Sequence, residues 1–377
     1  MRSVRWVGLP RPSGRIARAR TKLWTLIHPL LALHCLGENR IQRLLGRIHV
    51  LPALLVLVFT SSAALAQYQL TYLDSDLAGK AKHQDTLLKN AWGLAYAPGG
   101  AFWVSDEASG WTTLYDGSGN IQTLKVIVPP ASGTGAGTPT GMVYNGSQEF
   151  KIKSWVSEFL FATLDGTIQG WSGFNPNSTL IGVTSKGAVY TGLAITSKTS
   201  GNTLYAADSA NNKVDMYNGT FSLIGSFTDS TIPPGFAPFG IQDIGGQLYV
   251  SYASTTGGSG GYIDIFTETG TFVKRFAHGS PLNQPWGFAV APSNFGTLSN
   301  TLLISNNTST GTINGYNLTT GKLVGTVKTS TGKVIQINGL WGIEFGGGST
   351  LNGQKNQLFF TSGPSDTDGY FGVINKH

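Results

Sequence analysis

Six times in this chain a glycine follows an aromatic residue or a threonine at the head of an apolar run: Trp92-Gly93, Thr140-Gly141, Thr191-Gly192, Phe239-Gly240, Trp286-Gly287 and Trp341-Gly342. Successive glycines lie 48, 51, 48, 47 and 55 residues apart. A near-constant period of about 50 residues marks a repeat architecture, and a four-stranded propeller blade has this length. Pro139, Pro238 and Pro285 stand two residues before the glycine in three copies, where a loop must end and a strand begin.

Each copy reads as an antiparallel meander. In Asn90–Asn120, Trp92–Tyr96 is apolar and stopped by Pro98-Gly99-Gly100, Ala101–Ser105 alternates large and small residues, and Trp111–Tyr115 runs back after the turn Asp106–Gly110. Strands of about five residues bounded by Gly, Pro and Asp carry this signature. The second strand recurs around 158–162, 203–207, 247–251, 302–305 and 357–361, and the third around 167–171, 213–217, 262–266, 312–316 and 370–374. A lone meander cannot bury its faces, so the copies must pack on one another. The sixth ends at Asn375-Lys376-His377 with no room for a fourth strand, while Tyr68–Asp74 supplies a spare one that resembles Leu223–Asp229. The sequence therefore predicts an all-β, six-bladed propeller, closed by the N-terminal strand pairing with the last blade, over residues 67–377. Closure would remove exposed sheet edges.

Charge separates a leader from this body. Of 26 basic and 19 acidic residues, residues 1–66 hold ten basic and one acidic, which leaves about −2 for the rest. No nucleic-acid footprint remains on the repeats. Arg43 and Arg47 precede the apolar run Val50–Phe59 and then Ala64-Leu65-Ala66, the order of a secretory signal cleaved after Ala66, with an uncleaved anchor as the competing assignment. Residues 1–42 are an over-extended start or a long basic segment. Cys35, the single cysteine, lies in the leader, so the body must hold together without disulfides and has no thiol chemistry. The expected product is secreted or periplasmic, monomeric and without a membrane span.

The stretch Gly201–Tyr217 (GNTLYAADSANNKVDMY) together with Ala237-Pro238-Phe239-Gly240-Ile241 resembles NHL repeats: a Pro-x-Gly-apolar strand, an apolar-Tyr strand ending in Asp, and an Asn-x-Lys-Val-aromatic strand. The body as a whole, with its Trp-Gly starts, resembles a secreted bacterial propeller family related to NHL proteins. That resemblance implies the fold and a released or periplasmic product, and it brings no activity with it.

Two sets of residues stand out for chemistry. If the residue before each glycine opens the innermost strand, Trp92, Phe239, Trp286 and Trp341 gather at one mouth of the central channel. There they can stack on a small molecule, a carbohydrate or a protein side chain, or serve only as packing between blades. The position two after each glycine is uncharged in five copies, with Gln242 in the fourth, and is Glu344 in the sixth. A carboxylate on an innermost strand needs a partner or a raised pKa, which makes Glu344 the catalytic or ligand-binding candidate. Asp106, Asp208 and Asn306, at the ends of second strands, read as turn acceptors. Gly257-Gly258-Ser259-Gly260-Gly261 satisfies a nucleophile-elbow pattern without its strand–helix context and reads as a loop. Calcium-dependent lactonase propellers hold their ion with Glu, Asn and Asp; here no Asn precedes a repeat glycine, so no metal and no cofactor is assigned, calcium being the one candidate. The function that follows is a ligand-binding or protein-interaction scaffold working at the channel mouth and at the loops Pro129–Pro139 and Ser254–Gly261. The alternative is a divalent-cation-dependent hydrolase or lyase on a small ester, lactone or sugar, with Glu344 as ligand or base.

Overall fold

Glycine at the six repeat positions is demanded by room, because none of the six has the positive φ that would favour it on conformational grounds. A Cβ on Gly93 would stand 2.4 Å from the Thr140 carbonyl oxygen, on Gly192 2.8 Å from that of Phe239, on Gly240 2.0 Å from that of Trp286, on Gly287 2.7 Å from that of Trp341, and on Gly342 2.8 Å from that of Trp92. Gly141 would meet the backbone of Gly192 and Leu193 in the same way. Each first strand thus packs its backbone against the next, and the sixth returns to the first.

The computed structural model describes residues 68–376, and no α-helix occurs among them. Six antiparallel sheets form the blades. Their first strands are Ala91–Tyr96, Pro139–Tyr144, Tyr190–Ile195, Phe236–Asp243, Pro285–Val290 and Leu340–Phe345. In blades one to five the chain continues outward through three further strands. In blade six the outermost position is taken by Tyr68–Ser75, antiparallel to Tyr370–Lys376 in a register from Tyr68↔Lys376 to Ser75↔Tyr370. The two-residue strand His83–Gln84 adds to its outer edge in parallel. The predicted leader and its cleavage site lie outside the described residues. No helix of the described residues is long and apolar enough to cross a membrane.

Burial on both faces explains why the second strands read as unbroken apolar runs. In Phe102–Asp106, Phe102 and Val104 join the core between blades six and one, while Trp103 joins the core between blades one and two. In Phe159–Thr163, Phe159 and Phe161 face blade one, and Leu160 and Ala162 face blade three. Every pair of adjacent blades shares such a core, and a seventh cluster lies on the axis.

All six first strands carry a β-bulge at the aromatic-or-Thr/Gly pair, where the register against the second strand shifts. Two residues there face one, and that one is Ser105, Ala162, Ala207, Ser251, Ser305 or Thr361. The choice follows the residue before the glycine. In blades two and three, where the second strand gives alanine, Thr140 and Thr191 donate their own hydroxyls to the carbonyls of Tyr190 and Phe239 in the next blade at 2.7 and 2.8 Å. In blades five and six the second strand supplies the hydroxyl. Ser305 accepts from the Gly287 amide and donates to the Trp341 carbonyl at 2.6 Å, and Thr361 accepts from Gly342 and donates to the Trp92 carbonyl at 2.6 Å. Ser251 accepts from Gly240, and the buried Ser105 hydroxyl has no hydrogen-bond partner among the described residues.

The ring predicts a sharp contrast between glycines. Gly240→Ala should cost about 2–4 kcal/mol in denaturant melts, because backbone is what its Cβ strikes. Gly173→Ala should change stability by less than about 0.5 kcal/mol, since a Cβ there meets nothing within 4 Å.

The closing seam carries a pH signature. Asp74, in the N-terminal strand, is fully buried, and neither carboxyl oxygen has a hydrogen-bond partner among the described residues. His83 Nδ1 stands 3.8 Å from Oδ1. Burial, then the charges of Asp85 and Asp116, push the Asp74 carboxyl up to about 8 from 3.8. The unfolded chain releases this proton near pH 4 and the folded one keeps it to about pH 8, so folding binds a proton across that window and stability falls as pH rises through it. Melting temperature should drop from pH 5 to 8 and flatten above, with a shallower drop in Asp74→Asn; an unchanged slope in that variant would contradict the assignment.

Candidate functional site

The bulges aim the residues before the glycines at the axis. Trp92 and Trp341 stack with ring centroids 3.6 Å apart, Trp286 meets Trp341 edge-on at 5.7 Å, and Phe239 reaches Trp341 at 5.5 Å and Trp92 at 6.3 Å. These four aromatics, from blades one, four, five and six, fill the axis at the end where the first strands begin. The three tryptophans are 4–8% exposed. The indole N–H of Trp286 donates to the Thr191 carbonyl of blade three at 3.0 Å, and that of Trp341 to Asn90 Oδ1 at 3.3 Å. Leu164 packs against the group. The loops Pro129–Pro139 and Ser254–Gly261 adjoin the starts of first strands: Pro139 itself opens one, and Gln284, just before Pro285, donates to the Gly258 carbonyl.

Beyond this plug the axis widens into a cavity of about 360 Å³, lined by the residues that follow the glycines. Trp286 contributes to its wall, whereas Trp92 and Trp341 lie outside the lining. Leu94, Met142, Leu193, Ile241, Phe288 and Ile343 give it an apolar girdle. Glu344, Gln242, Asp243, Tyr96 and Tyr144 supply its polar groups.

Glu344 keeps part of its surface accessible, and the cavity it lines is what that surface faces. Enclosure on all sides desolvates the carboxylate, and its pKa rises to about 7, opposed only by the Phe345 amide. Among the described residues no cation acts on it. Tyr96, one blade on, is pushed up to about 12 by burial first and by the charge of Glu344 second, which places the two side chains within electrostatic reach. Asp243 accepts from the Gly246 amide at 2.9 Å, and burial raises its pKa. Among the described residues, the side chains of Gln242, Tyr96 and Tyr144 make no hydrogen bond with the protein. The cavity therefore presents one carboxyl titrating near neutrality among neutral donors and acceptors that the protein leaves free.

Calcium takes six to eight oxygen ligands. The cavity lining offers two carboxylates, Glu344 and Asp243, with an amide and two phenols, and the described residues gather no group of three or more His, Cys, Asp or Glu as metal ligands. Of the three expected turn acceptors only Asp208 takes a bond from its following turn, whereas Asp106 is bonded from the third strand and Asn306 from ahead of the first strand. Asp106 accepts from Thr113 at 2.8 Å, Asp208 from the Val189 and Asn211 amides, and Asn306 from the Asn283 amide. His278 stacks on Tyr262, far in sequence and in blade from His83.

Tyr96, Tyr144 and Asp243 were not singled out from the sequence. They occupy one position, three residues after the repeat glycine, and aligning the six copies on that glycine would have exposed them.

No family model matches the chain. It is 30% identical over 346 residues to "Uncharacterized protein R648" of Acanthamoeba polyphaga mimivirus, covering 84% of this chain and 82% of that protein. A second mimivirus protein, "Uncharacterized protein L690", is 30% identical over 346 residues, covering 84% of this chain and 88% of its own length. Among solved structures, that of streptogramin B lyase superposes with a TM-score of 0.50 at 12% sequence identity, covering 83% of this chain and 98% of that one, a likeness of fold alone.

The plug should carry much of the axial stability. Trp341→Ala is expected to cost about 3–5 kcal/mol in denaturant melts, and Trp341→Phe clearly less.

Proposed function

The chain belongs to the family of the mimivirus proteins R648 and L690, and we propose from its own residues that it binds a small molecule in the axial cavity, anchored by Glu344. The observation that carries this is the Glu344 carboxyl itself. It faces the cavity with the Phe345 amide as its one named partner, and Gln242, Tyr96 and Tyr144 line the same cavity without hydrogen bonds to other described residues. About 360 Å³ suits a compact organic ligand. The plug leaves entry to the opposite end, past Tyr96 and Tyr144. A ligand carrying an amine or hydroxyl would donate to Glu344 and pack its apolar part against the leucine and isoleucine girdle.

A second reading rests on the same carboxyl. A group titrating near 7 can take or give a proton at neutral pH, and Glu344 beside Tyr96 would serve as general base in a hydrolase or lyase acting on a small ester, lactone or sugar. The streptogramin B lyase fold is compatible with that and adds nothing on chemistry. Binding is preferred because Tyr96, the phenol beside Glu344, is pushed up to about 12 and so gives up its proton reluctantly at neutral pH.

A thermal-shift screen of small amines and polyols at pH 6 and pH 8 tests the proposal. Hits that donate to the carboxylate should bind more tightly at pH 8, with a midpoint near 7. Glu344→Gln should weaken them by about ten- to a hundredfold and abolish the pH dependence. Hits indifferent to Glu344→Gln would remove the cavity from the account, and turnover of a bound ester or lactone would favour the enzymatic reading.

A further inference from the structure

Blade two differs from the other five at its rim. The connection between its first and second strands, residues 145–158, folds into a small hairpin, Lys151–Ile152 against Trp155–Val156, and no other such connection among the described residues carries a pair of strands. The hairpin holds Trp155 41% exposed, stacked on Phe174, which is 66% exposed and comes from the separate loop after the third strand. Their ring centroids are 3.1 Å apart and the planes nearly parallel. Two excursions from the blade meet only to set one aromatic pair at the surface, beside a groove of about 500 Å³.

The groove is built rather than incidental. Asn145, buried beneath it, donates to the carbonyls of Glu149 and Ser157 and accepts from Ser147, fixing the base of the hairpin. Glu149 ties the loop to blade three by accepting from the Gly201 and Asn202 amides. Phe150, fully buried with φ 57°, packs edge-on against Phe221. On this fixed base the side chains of Gln148, Lys151, Ser154, Glu158 and Ser172 line the groove, and none makes a hydrogen bond to another described residue. One cation and one anion cancel, so the groove is near neutral, with free donors and acceptors ringed about an exposed aromatic surface.

That combination matches a pyranose, whose C–H face is apolar and lies flat on an aromatic ring while its hydroxyl rim takes neutral and paired-charge hydrogen bonds. A phosphorylated or acidic ligand would meet Lys151 and Glu158 together, so the groove offers an anion no net attraction. An extended peptide would have only two-residue strands to pair with. We propose that the blade-two groove is a binding site for a neutral oligosaccharide, with Trp155 and Phe174 as the stacking platform and Gln148, Lys151, Ser154 and Glu158 reading its hydroxyls. Tyr144 lines both this groove and the axial cavity, so both open on one face of the ring.

Calorimetric titration of the full chain with linear neutral hexasaccharides (β-1,4-linked glucose, xylose, mannose and N-acetylglucosamine, and α-1,4-linked glucose) tests this. At least one should bind with a Kd below about 1 mM, and Trp155→Ala and Phe174→Ala should each weaken it by about tenfold or more, with the melting temperature unchanged because both rings are exposed. Glu344→Gln should leave this binding intact, which separates the groove from the cavity. The proposal is overturned if none of the saccharides binds, if binding survives both aromatic substitutions, if it depends on Glu344 instead, or if a proline-rich peptide binds where the saccharides do not.

Discussion

Backbone-to-backbone contact around a closed axis is the constraint from which the rest follows. The six first strands come so near that a single methyl group at any repeat glycine would strike the neighbouring blade's main chain. Contact this close leaves buried carbonyls that must be satisfied. The bulge and its hydroxyl answer that need, through Thr140 and Thr191 in two blades and Ser305 and Thr361 in two others. The exchange between a threonine before the glycine and a serine or threonine opposite it keeps one hydroxyl at the junction. It also decides which blades are free to place a large ring on the axis.

That division makes the site. Blades two and three spend the residue before glycine on a hydroxyl, whereas the other four spend it on Trp92, Phe239, Trp286 and Trp341, which meet and plug one end. Past the plug the same strands diverge, and their next residues enclose a cavity that Glu344 lines. A fully closed axis would need no polar group there. An open one would hydrate Glu344 and leave its pKa ordinary. Burial among the first strands, rather than any charged neighbour, is what raises the Glu344 pKa.

The blade count, the strand order and the closure by Tyr68–Asp74 were legible in the sequence, because short strands punctuated by Gly, Pro and Asp repeat at a period that only a few folds share. Glu344 and Gln242 were legible as unusual, since they put a carboxylate and an amide at a repeat position that is otherwise Ala or Val. The packing of the four aromatics against one another was not. The bulge that turns them toward the axis adds a residue to one strand, and simple alternation cannot see it. The hairpin at Lys151–Val156 was also hidden: strands of two residues leave no periodicity, and Trp155 and Phe174 stand 19 positions apart in segments that read as loop. Their partnership exists only once blade two is folded.

The central claim is that the six blades are one cooperative ring with no separately opening seam. Native-state hydrogen exchange resolves it directly, because the amides of Gly240, Gly287 and Gly342 and those of Tyr68–Ser75 report the axis and the closure at once. All should exchange only through global unfolding, with a common free energy and a common denaturant dependence. Strand Tyr68–Ser75 opening at a much lower free energy than the repeat glycines, with its own shallow denaturant slope, would show a latch that is not part of the ring and would contradict the account.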